Sequence, residues 1–345
     1  MSAAAIPRVI CTSIAERNLD LPETKADLRG RVMIITGANT GLGLESAKRF
    51  YEMQPAHLIL SVRNISKGEA AKQEIISTAS VESTTKLDVW ELDLASFESV
   101  KVFGRRCEAE LERLDILLEN GGVNGGAWSL TKDGWENWQS SHPCSLQVNV
   151  LSTFLLAGLL APLLAKTAKL PVPGGANLKP HLVVVSSDVH QIVPIREKNK
   201  PEIFRALNDE SQFRAGERYA LTKLLDLLMT EELAKVPLLR DVIVCSVNPG
   251  FCQSDLMREA SSIQRRIGYA ILARTTALGA RTYLWAALTN DIPPGSYTSS
   301  CRVLEPSGVA AAKDAPQVRK KLWNEMTSIL TIEAPDTAAL WATSY

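Results

Sequence analysis

The sequence predicts a three-layer α/β/α fold in which helices cover both faces of a doubly wound parallel sheet. Three short segments are apolar at every position: residues 32–35, 182–185 and 242–245. Continuous rather than alternating apolar residues, rich in valine and isoleucine, are typical of parallel strands that are buried on both faces. Helical stretches separate these segments, and the alternation of strand and helix predicts right-handed crossovers.

Weaker patterns predict the remaining elements. Further strands are expected at residues 57–62, 86–92 and 114–118. Helices are expected at residues 43–53, 67–78, 96–112, 145–166 and 217–235. We interpret the other long segments as irregular, namely residues 1–29, 171–180, 190–215 and much of the chain after Gly250.

Composition excludes several classes of partner. Lysine plus arginine (38) balances aspartate plus glutamate (38), and the one short basic cluster is Arg319-Lys320-Lys321. This charge balance argues against nucleic acid and anionic lipid as partners, because both are bound through concentrated positive charge.

The most apolar stretch, residues 148–165, contains Asn149 and Pro162 and is shorter than the ~20 apolar residues that span a bilayer. We therefore expect a buried helix, no transmembrane segment and, with no targeting signal at either end, a cytoplasmic protein. The six cysteines are scattered and only four histidines accompany them, so we expect reduced thiols and no metal site.

A glycine-rich turn follows the first predicted strand. Gly37, Gly41 and Gly43 precede a helix with the spacing Gly-x-x-x-Gly-x-Gly. Missing side chains at such a turn let backbone N–H groups and the helix N-terminus approach a pyrophosphate, although a tight strand-to-helix connection would use glycines in the same way. No Lys-Ser/Thr pair follows, which argues against a Walker-type loop. Nucleotide binding is the better interpretation.

Arg63 indicates which dinucleotide binds. An acidic residue about 20 positions past the glycines is typical of an NAD site, whereas an arginine accommodates the 2′-phosphate of NADP. Arg63 lies 20 positions past Gly43 with no carboxylate beside it, so NADP(H) is favoured over NAD(H). Asn64 and Lys67 could assist in binding the phosphate.

Tyr219 and Lys223 lie four residues apart at the start of an apolar-periodic helix. Residues at this spacing share one helix face. A fixed positive charge next to a phenol stabilises the phenolate, which makes the phenol a better proton donor or acceptor near neutral pH. A Tyr-x-x-x-Lys pair is weak by itself, because such pairs also arise by chance on helix surfaces.

The order of motifs resembles the short-chain dehydrogenase/reductase family, especially its retinol-dehydrogenase-like branch and fungal reductases of that type. Four motifs follow one another along the chain: the glycine-rich turn after the first strand, Ser186-Ser187 after a later strand, the helix with Tyr219 and Lys223, and Asn248-Pro249-Gly250 after another strand. The resemblance covers roughly residues 28–330 and implies a Rossmann fold. We accordingly expect an N-terminal extension at 1–29 and a single domain at 30–345.

The resemblance also implies the site residues. The catalytic tetrad of the family corresponds to Asn149, Ser187, Tyr219 and Lys223, with Ser186 as the alternative serine. Gly121 replaces the alanine of the family's Asn-Ala-Gly segment, and this should loosen that loop. The cofactor-binding residues implied are Thr36, Gly37, Asn39, Thr40, Gly41, Leu42, Gly43, Arg63, Asn64, Asp93, Leu94, Asn120, Gly121, Gly122, Tyr219, Lys223, Pro249, Gly250, Phe251 and Ser254.

The activity implied is reduction of a carbonyl by hydride transfer from NADPH, with Tyr219 as proton donor and Asn149 positioning a water near Lys223. The expected substrate is a small or medium, partly apolar carbonyl metabolite, and secondary metabolism is our hypothesis for its origin. Two alternatives stay open: an NAD(P)+-dependent alcohol dehydrogenase, and a non-catalytic NADP(H)-sensing protein. Monomer and homo-oligomer are both compatible with the sequence.

Two segments are expected beside the substrate. Residues 190–215 lengthen the connection between Ser187 and Tyr219 and form either a flap that faces the substrate or a plain surface loop. Residues 250–275 lie where the family carries a substrate lid, which would exclude water.

Overall fold

The computed structural model describes residues 5–17, 19–124, 128–137, 146–174, 177–253 and 273–342. The strands are β1 Val32–Thr36, β2 His57–Val62, β3 Lys86–Glu91, β4 Ile116–Glu119, β5 Ser129–Leu130, β6 Glu136–Asn137, β7 His181–Val185, β8 Ile243–Asn248, β9 Tyr297–Ser299 and β10 Arg302–Leu304. The helices are α1 Ala5–Glu16, α2 Gly41–Glu52, α3 Ile65–Thr78, α4 Phe97–Glu110, α5 Ser152–Thr167, α6 Ile203–Leu207, α7 Ala215–Leu233, α8 Thr276–Leu288, α9 Ala315–Glu333 and α10 Ala338–Ala342.

Within the described residues, eight strands form one sheet in the order β10-β9-β8-β7-β4-β1-β2-β3. All neighbours pair in parallel except β10, which is antiparallel to β9. The chain first moves outward from β1 to β3 and then returns to β4 on the other side of β1. This is the doubly wound order that the sequence predicts, and the predicted fold class is confirmed.

Helices cover both faces of the sheet. On β1, Ile34 packs into one core together with residues of α4, α5 and α7. Its neighbours Met33 and Ile35 point to the opposite face and pack with residues of α2 and α8. Burial on both sides explains why residues 32–35 of this strand are all apolar.

The predicted irregular segments are partly wrong. Residues 5–16 form helix α1, and the chain after Gly250 contains α8, β9, β10 and α9. Between Ser187 and Tyr219 the chain forms short helical turns, and Val193, Ile195, Ile203 and Phe204 are buried in the main core. These apolar residues of the insertion therefore stabilise the fold instead of facing a substrate. Residues 254–272 of the predicted lid lie outside the described residues.

The segment Gln147–Thr167 is long and apolar enough to cross a membrane, but 89% of its most apolar window is buried inside the fold. It begins with a π-helical turn, Gln147–Leu151, and continues as α5, which packs against α4. This segment is a core helix, as the sequence predicts.

A buried ion pair joins the amino ends of β1 and β4. The Asp115 carboxylate accepts hydrogen bonds from the Val32 N–H at 2.9 Å and from Arg31 Nη1 at 3.3 Å. Arg113 also donates to Asp115, at 2.6 and 2.8 Å. The side chains of Arg31 and Asp115 are each only 1% exposed, so neither charge can be solvated if its partner is lost.

Asp115→Asn should therefore lower the free energy of unfolding by about 3–5 kcal/mol, because it removes the carboxylate that pairs with the buried Arg31 guanidinium. Urea denaturation measures the loss. Asp241→Asn is the matched control, since Asp241 pairs with Arg240, whose side chain is 78% exposed, and should cost under about 1 kcal/mol. Equal, small losses in both variants would contradict the role of Asp115.

Candidate active site

The glycine-rich turn lies between β1 and α2. Gly37 and Gly41 have φ values of +64° and +58°, a region that favours glycine. At Gly43, an added Cβ would lie 2.5 Å from both Asn120 Nδ2 and the Gly37 carbonyl oxygen. The turn is therefore closed to side chains at all three positions. A backbone cradle at a helix N-terminus is the arrangement that suits a diphosphate.

Asn120 joins this turn to the end of β4. Its Nδ2 donates to the carbonyl oxygens of Thr36, at 2.9 Å, and Gly37, at 3.3 Å. Its Oδ1 accepts a hydrogen bond from Tyr283 Oη of α8 at 3.3 Å. The Asn120 amide thus connects two strand exits and a helix from the far part of the chain.

Gly121 fits closely against β1. Its N–H donates to Thr36 Oγ1 at 2.7 Å, and an added Cβ would lie 2.9 Å from Leu94 Cδ1. An alanine at this position would require the Leu94 side chain to move. Glycine, although it departs from the family pattern, fits the space that Leu94 leaves. Gly122 follows it and is exposed, and an added Cβ there would lie 3.6 Å from Lys223 Nζ.

The end of β2 carries the residues predicted to bind the 2′-phosphate. Arg63, Asn64 and Lys67 are all exposed. Asn64 caps α3 by accepting a hydrogen bond from the Lys67 N–H at 2.9 Å, so its side chain also has a structural role. The Arg63 guanidinium is available to an anion that approaches the carboxyl end of β2.

Asp93 and Leu94 follow β3 and are half-buried. The Asp93 side chain accepts a hydrogen bond from the Ala95 N–H at 3.0 Å, and its N–H donates to Ser99 Oγ at 2.9 Å. These bonds fix the turn between β3 and α4 at the carboxyl edge of the sheet.

Helix α7 presents Tyr219 and Lys223 on one face. Lys223 Nζ lies 5.9 Å from the centroid of the Tyr219 ring. The lysine is buried and donates to the Val185 carbonyl oxygen at the end of β7, at 2.7 Å. The ammonium is thus fixed between the tyrosine and a strand exit, where it can act on the charge of the phenol.

Two buried carboxyl groups lie behind Lys223. Asp226 Oδ2 accepts a hydrogen bond from Lys223 Nζ at 2.9 Å, and burial raises the pKa of Asp226 to about 6. Burial, and then the Asp226 charge, raise the pKa of Glu119 well above its ordinary value. The Glu119 oxygens have no hydrogen-bond partner within the described part of the chain. The folded state therefore favours the protonated form of Glu119, and Asp226 is the counter-ion of Lys223.

The two serines after β7 differ in surroundings. Ser186 is buried, and its Oγ donates to the Lys223 backbone carbonyl at 2.8 Å. Ser187 is half-buried, and its Oγ donates to Asp188 Oδ1 at 3.2 Å and accepts from the Val189 N–H at 3.4 Å. Ser186 thus has a structural role, and Ser187 is the serine closer to solvent.

Asn149 lies in the π-helical turn and bridges two elements. Its Nδ2 donates to Thr222 Oγ1 of α7 at 2.9 Å and to the Val123 carbonyl at 3.0 Å, and its Oδ1 accepts from the Val123 N–H at 2.9 Å. The buried amide has the partners that its burial requires. Its predicted role in positioning a water stays a prediction.

The exit of β8 completes the site. Asn248 Oδ1 accepts from the Gly250 N–H at 3.0 Å, and Gly250 has a φ of +74°. An added Cβ at Gly250 would lie 2.6 Å from the Arg274 guanidinium, which covers this turn. Pro249 and Phe251 flank the glycine, whereas Ser254 lies outside the described residues.

The sequence analysis did not identify several residues that shape this site, namely Glu16, Glu119, Asp188, Thr222, Asp226, Arg274 and Tyr283. A usable signal existed for Asp226, which is an acid within the apolar stretch 224–228 and three positions after Lys223. The contacts of Glu16, Thr222, Arg274 and Tyr283 join residues that are far apart along the chain, so no local pattern predicts them. Asp188 directly follows Ser187, but its position in the sequence alone does not show that its carboxyl group is buried.

The fold and the site are those of a nucleotide-dependent oxidoreductase of the short-chain type, and the comparisons with known proteins agree. The family model described as short chain dehydrogenase matches residues 31–170. The chain is 32% identical over 325 residues to the short chain dehydrogenase/reductase dmxR8 of Cryptosporiopsis sp. (strain 8999), covering 91% of this chain and 95% of that protein. The chain therefore belongs to the short-chain dehydrogenase/reductase family.

A further relative supports this family, and a solved structure supports the fold. The short chain dehydrogenase sol3 of Alternaria solani is 38% identical over 273 residues, which are 79% of this chain and 90% of that protein. A crystal structure of a short chain dehydrogenase of Shigella flexneri 2a, complexed with NADP, matches with a TM-score of 0.55 and 23% identity. It covers 81% of this chain and 100% of that chain, and it supports the fold.

Glu119→Gln should make stability less sensitive to pH. The raised pKa means that the folded state holds the Glu119 proton more tightly than the unfolded state does, so wild-type stability is lost as pH rises above the ordinary value of 4.5. The free energy of unfolding should fall less steeply in the variant as the pH rises above 4.5. Glu98→Gln, where arginine and lysine contacts lower the pKa, should leave this slope unchanged. Identical slopes for wild type and Glu119→Gln would refute the prediction.

Proposed function

We propose that this protein is an NADPH-dependent reductase that converts the carbonyl group of a small or medium, partly apolar metabolite into an alcohol. The observation that carries the proposal is the convergence of Tyr219, Lys223 and the exit of β7 next to the glycine-rich turn. Proton-donating groups beside a nucleotide cradle suit hydride chemistry better than cofactor sensing alone.

The residues present fit a nicotinamide dinucleotide. The backbone turn at Gly37, Gly41 and Gly43 would hold the diphosphate. It packs so closely that an added Cβ at Gly37 or Gly43 would meet Asn120. Asp93 lies where the family contacts the adenine, and Gly250 lies where it contacts the nicotinamide. Arg63, at the end of β2, favours NADPH, since its guanidinium can form charge-assisted hydrogen bonds with a 2′-phosphate.

The chain's own groups supply the proton. When bound, NADPH provides the hydride that reduces the carbonyl carbon. Tyr219 donates a proton to the carbonyl oxygen, and Ser187 donates a hydrogen bond to the same oxygen, where negative charge develops. Lys223 stabilises the phenolate that Tyr219 leaves behind and would hold the nicotinamide ribose.

A half-buried aromatic pair supports a partly apolar substrate. The rings of Trp128 and Phe213 meet edge to face, with centroids 5.6 Å apart, close to the start of the helix that carries Tyr219. Exposed edges of such rings offer apolar surface to a ligand.

Arg63→Asp should weaken NADPH binding by roughly 10- to 100-fold, because it removes about 1.5–3 kcal/mol of charge-assisted hydrogen bonding. NADH, which lacks the 2′-phosphate, should lose much less. Fluorescence titration measures both dissociation constants. Arg240→Asp makes the same change of charge at an exposed position before β8 and should affect neither cofactor. Equal losses for NADPH and NADH would exclude the 2′-phosphate role.

Tyr219→Phe should lower kcat by about 10²–10⁴-fold, the usual contribution of a general acid, while NADPH still binds. Tyr51→Phe is the matched control, since Tyr51 is a buried tyrosine near the end of α2. An NADPH-oxidation screen over ketones, aldehydes and quinones identifies a substrate and gives the rates. Full activity of Tyr219→Phe would refute the mechanism, and a lack of turnover across the whole screen would count against the proposed function.

A further inference from the structure

Asp188 occupies a position that bears directly on the catalytic serine. It follows Ser187 in the chain and is 5% exposed. The Ser187 hydroxyl donates its proton to Asp188 Oδ1 at 3.2 Å. A serine hydroxyl has one proton, so a Ser187 that donates to Asp188 cannot donate to the oxygen of a substrate at the same time.

The backbone around this pair is fixed. The Val189 N–H donates to Ser187 Oγ at 3.4 Å, and the Asp188–Ile192 turn begins at this contact. His190 is fully buried and its Nδ1 lies 2.7 Å from the Ser187 carbonyl oxygen. The Ser187 hydroxyl therefore changes its hydrogen bonding by rotating its proton, while the backbone stays in place.

Charged groups from distant segments surround Asp188. Glu16 of α1 and Arg274 form a buried ion pair, with Arg274 Nη2 2.9 Å from Glu16 Oε2. Both act on the Asp188 charge, Glu16 by repulsion and Arg274 by attraction. Tyr297 of β9 and Cys252 also face this charge, and Asp188 contributes to the raised pKa of both groups. One guanidinium thus serves two buried carboxyl groups.

We propose that Asp188 is a positioning residue that decides the direction of the Ser187 hydrogen bond, and that carbonyl reduction proceeds through the form with a neutral Asp188. The proposal rests on the proposed function. A neutral Asp188 donates its own proton to Ser187 Oγ, which leaves the Ser187 proton for the substrate oxygen. An ionised Asp188 accepts that proton and withholds it from the substrate.

The charge state changes in an accessible pH range. Burial is the main cause that raises the pKa of Asp188 to about 6, and Glu16 adds to the rise. The neutral form dominates below this value and is lost above it. Two pH units above the pKa, about 1% of a carboxyl group is neutral.

The test compares the pH dependence of single-turnover carbonyl reduction in wild type, Asp188→Asn and Glu16→Gln. The wild-type rate should fall roughly 10- to 50-fold from about pH 6 to about pH 8, and Asp188→Asn should lose this fall, because its amide cannot ionise and can donate to Ser187. Glu16→Gln should move the fall to lower pH. Asp88→Asn, in the edge strand β3, is the matched control and should keep the wild-type profile.

Infrared difference spectra give a readout that does not depend on turnover. The wild type should show a protonated carboxyl band that titrates near pH 6, is missing in Asp188→Asn and shifts to lower pH in Glu16→Gln. The inference would be overturned if wild type and Asp188→Asn had superimposable rate profiles, or if the infrared band titrated in Asp188→Asn as it does in wild type. Either result would leave the reductase function intact. A wild type that reduces no carbonyl at any pH would overturn the proposed function, and with it the role of Asp188, even if the band titrates.

Discussion

The arrangement of the site depends on the need to neutralise one buried ammonium group. Lys223 lies among apolar residues of α7, where an uncompensated charge would be very costly. Asp226 supplies the counter-ion and the Val185 carbonyl supplies a second acceptor. Since Val185 ends β7, this hydrogen bond also fixes α7 relative to the sheet. Burial, and then the charge of Asp226, raise the pKa of Glu119, so a second carboxylate is disfavoured at this position.

The parallel sheet brings the remaining groups to this ammonium. Every parallel strand ends at the same edge, so the glycine-rich turn after β1, the Asn120 loop after β4 and the serines after β7 become neighbours. Asn120 then fixes the first two exits relative to each other, and Ser186 fixes the third relative to α7. Hydrogen bonds between the residues that follow these strands, rather than long loops, define the geometry of the site.

Much of this could be predicted because it is local. The all-apolar segments predict β1, β7 and β8 since each strand is buried on both faces, and the glycine spacing predicts the turn before α2. The three-residue strands β9 and β10 lack such a pattern and depend on pairing with β8. Helix α1 was missed because its last residue, Glu16, is buried through an ion pair with a residue 258 positions away. Asp188 and Asp226 lie close in sequence to Ser187 and Lys223, but the sequence does not show that their carboxyl groups are buried.

The Glu16–Arg274 pair has a consequence for synthesis of the chain. Glu16 leaves the ribosome long before its partner, and a lone carboxylate does not remain buried. The first helix must therefore stay undocked until nearly four-fifths of the protein has been made, while the sheet between β1 and β8 can already form. Docking of the segment made first is thus one of the last folding steps, and it completes the surroundings of the serine after β7.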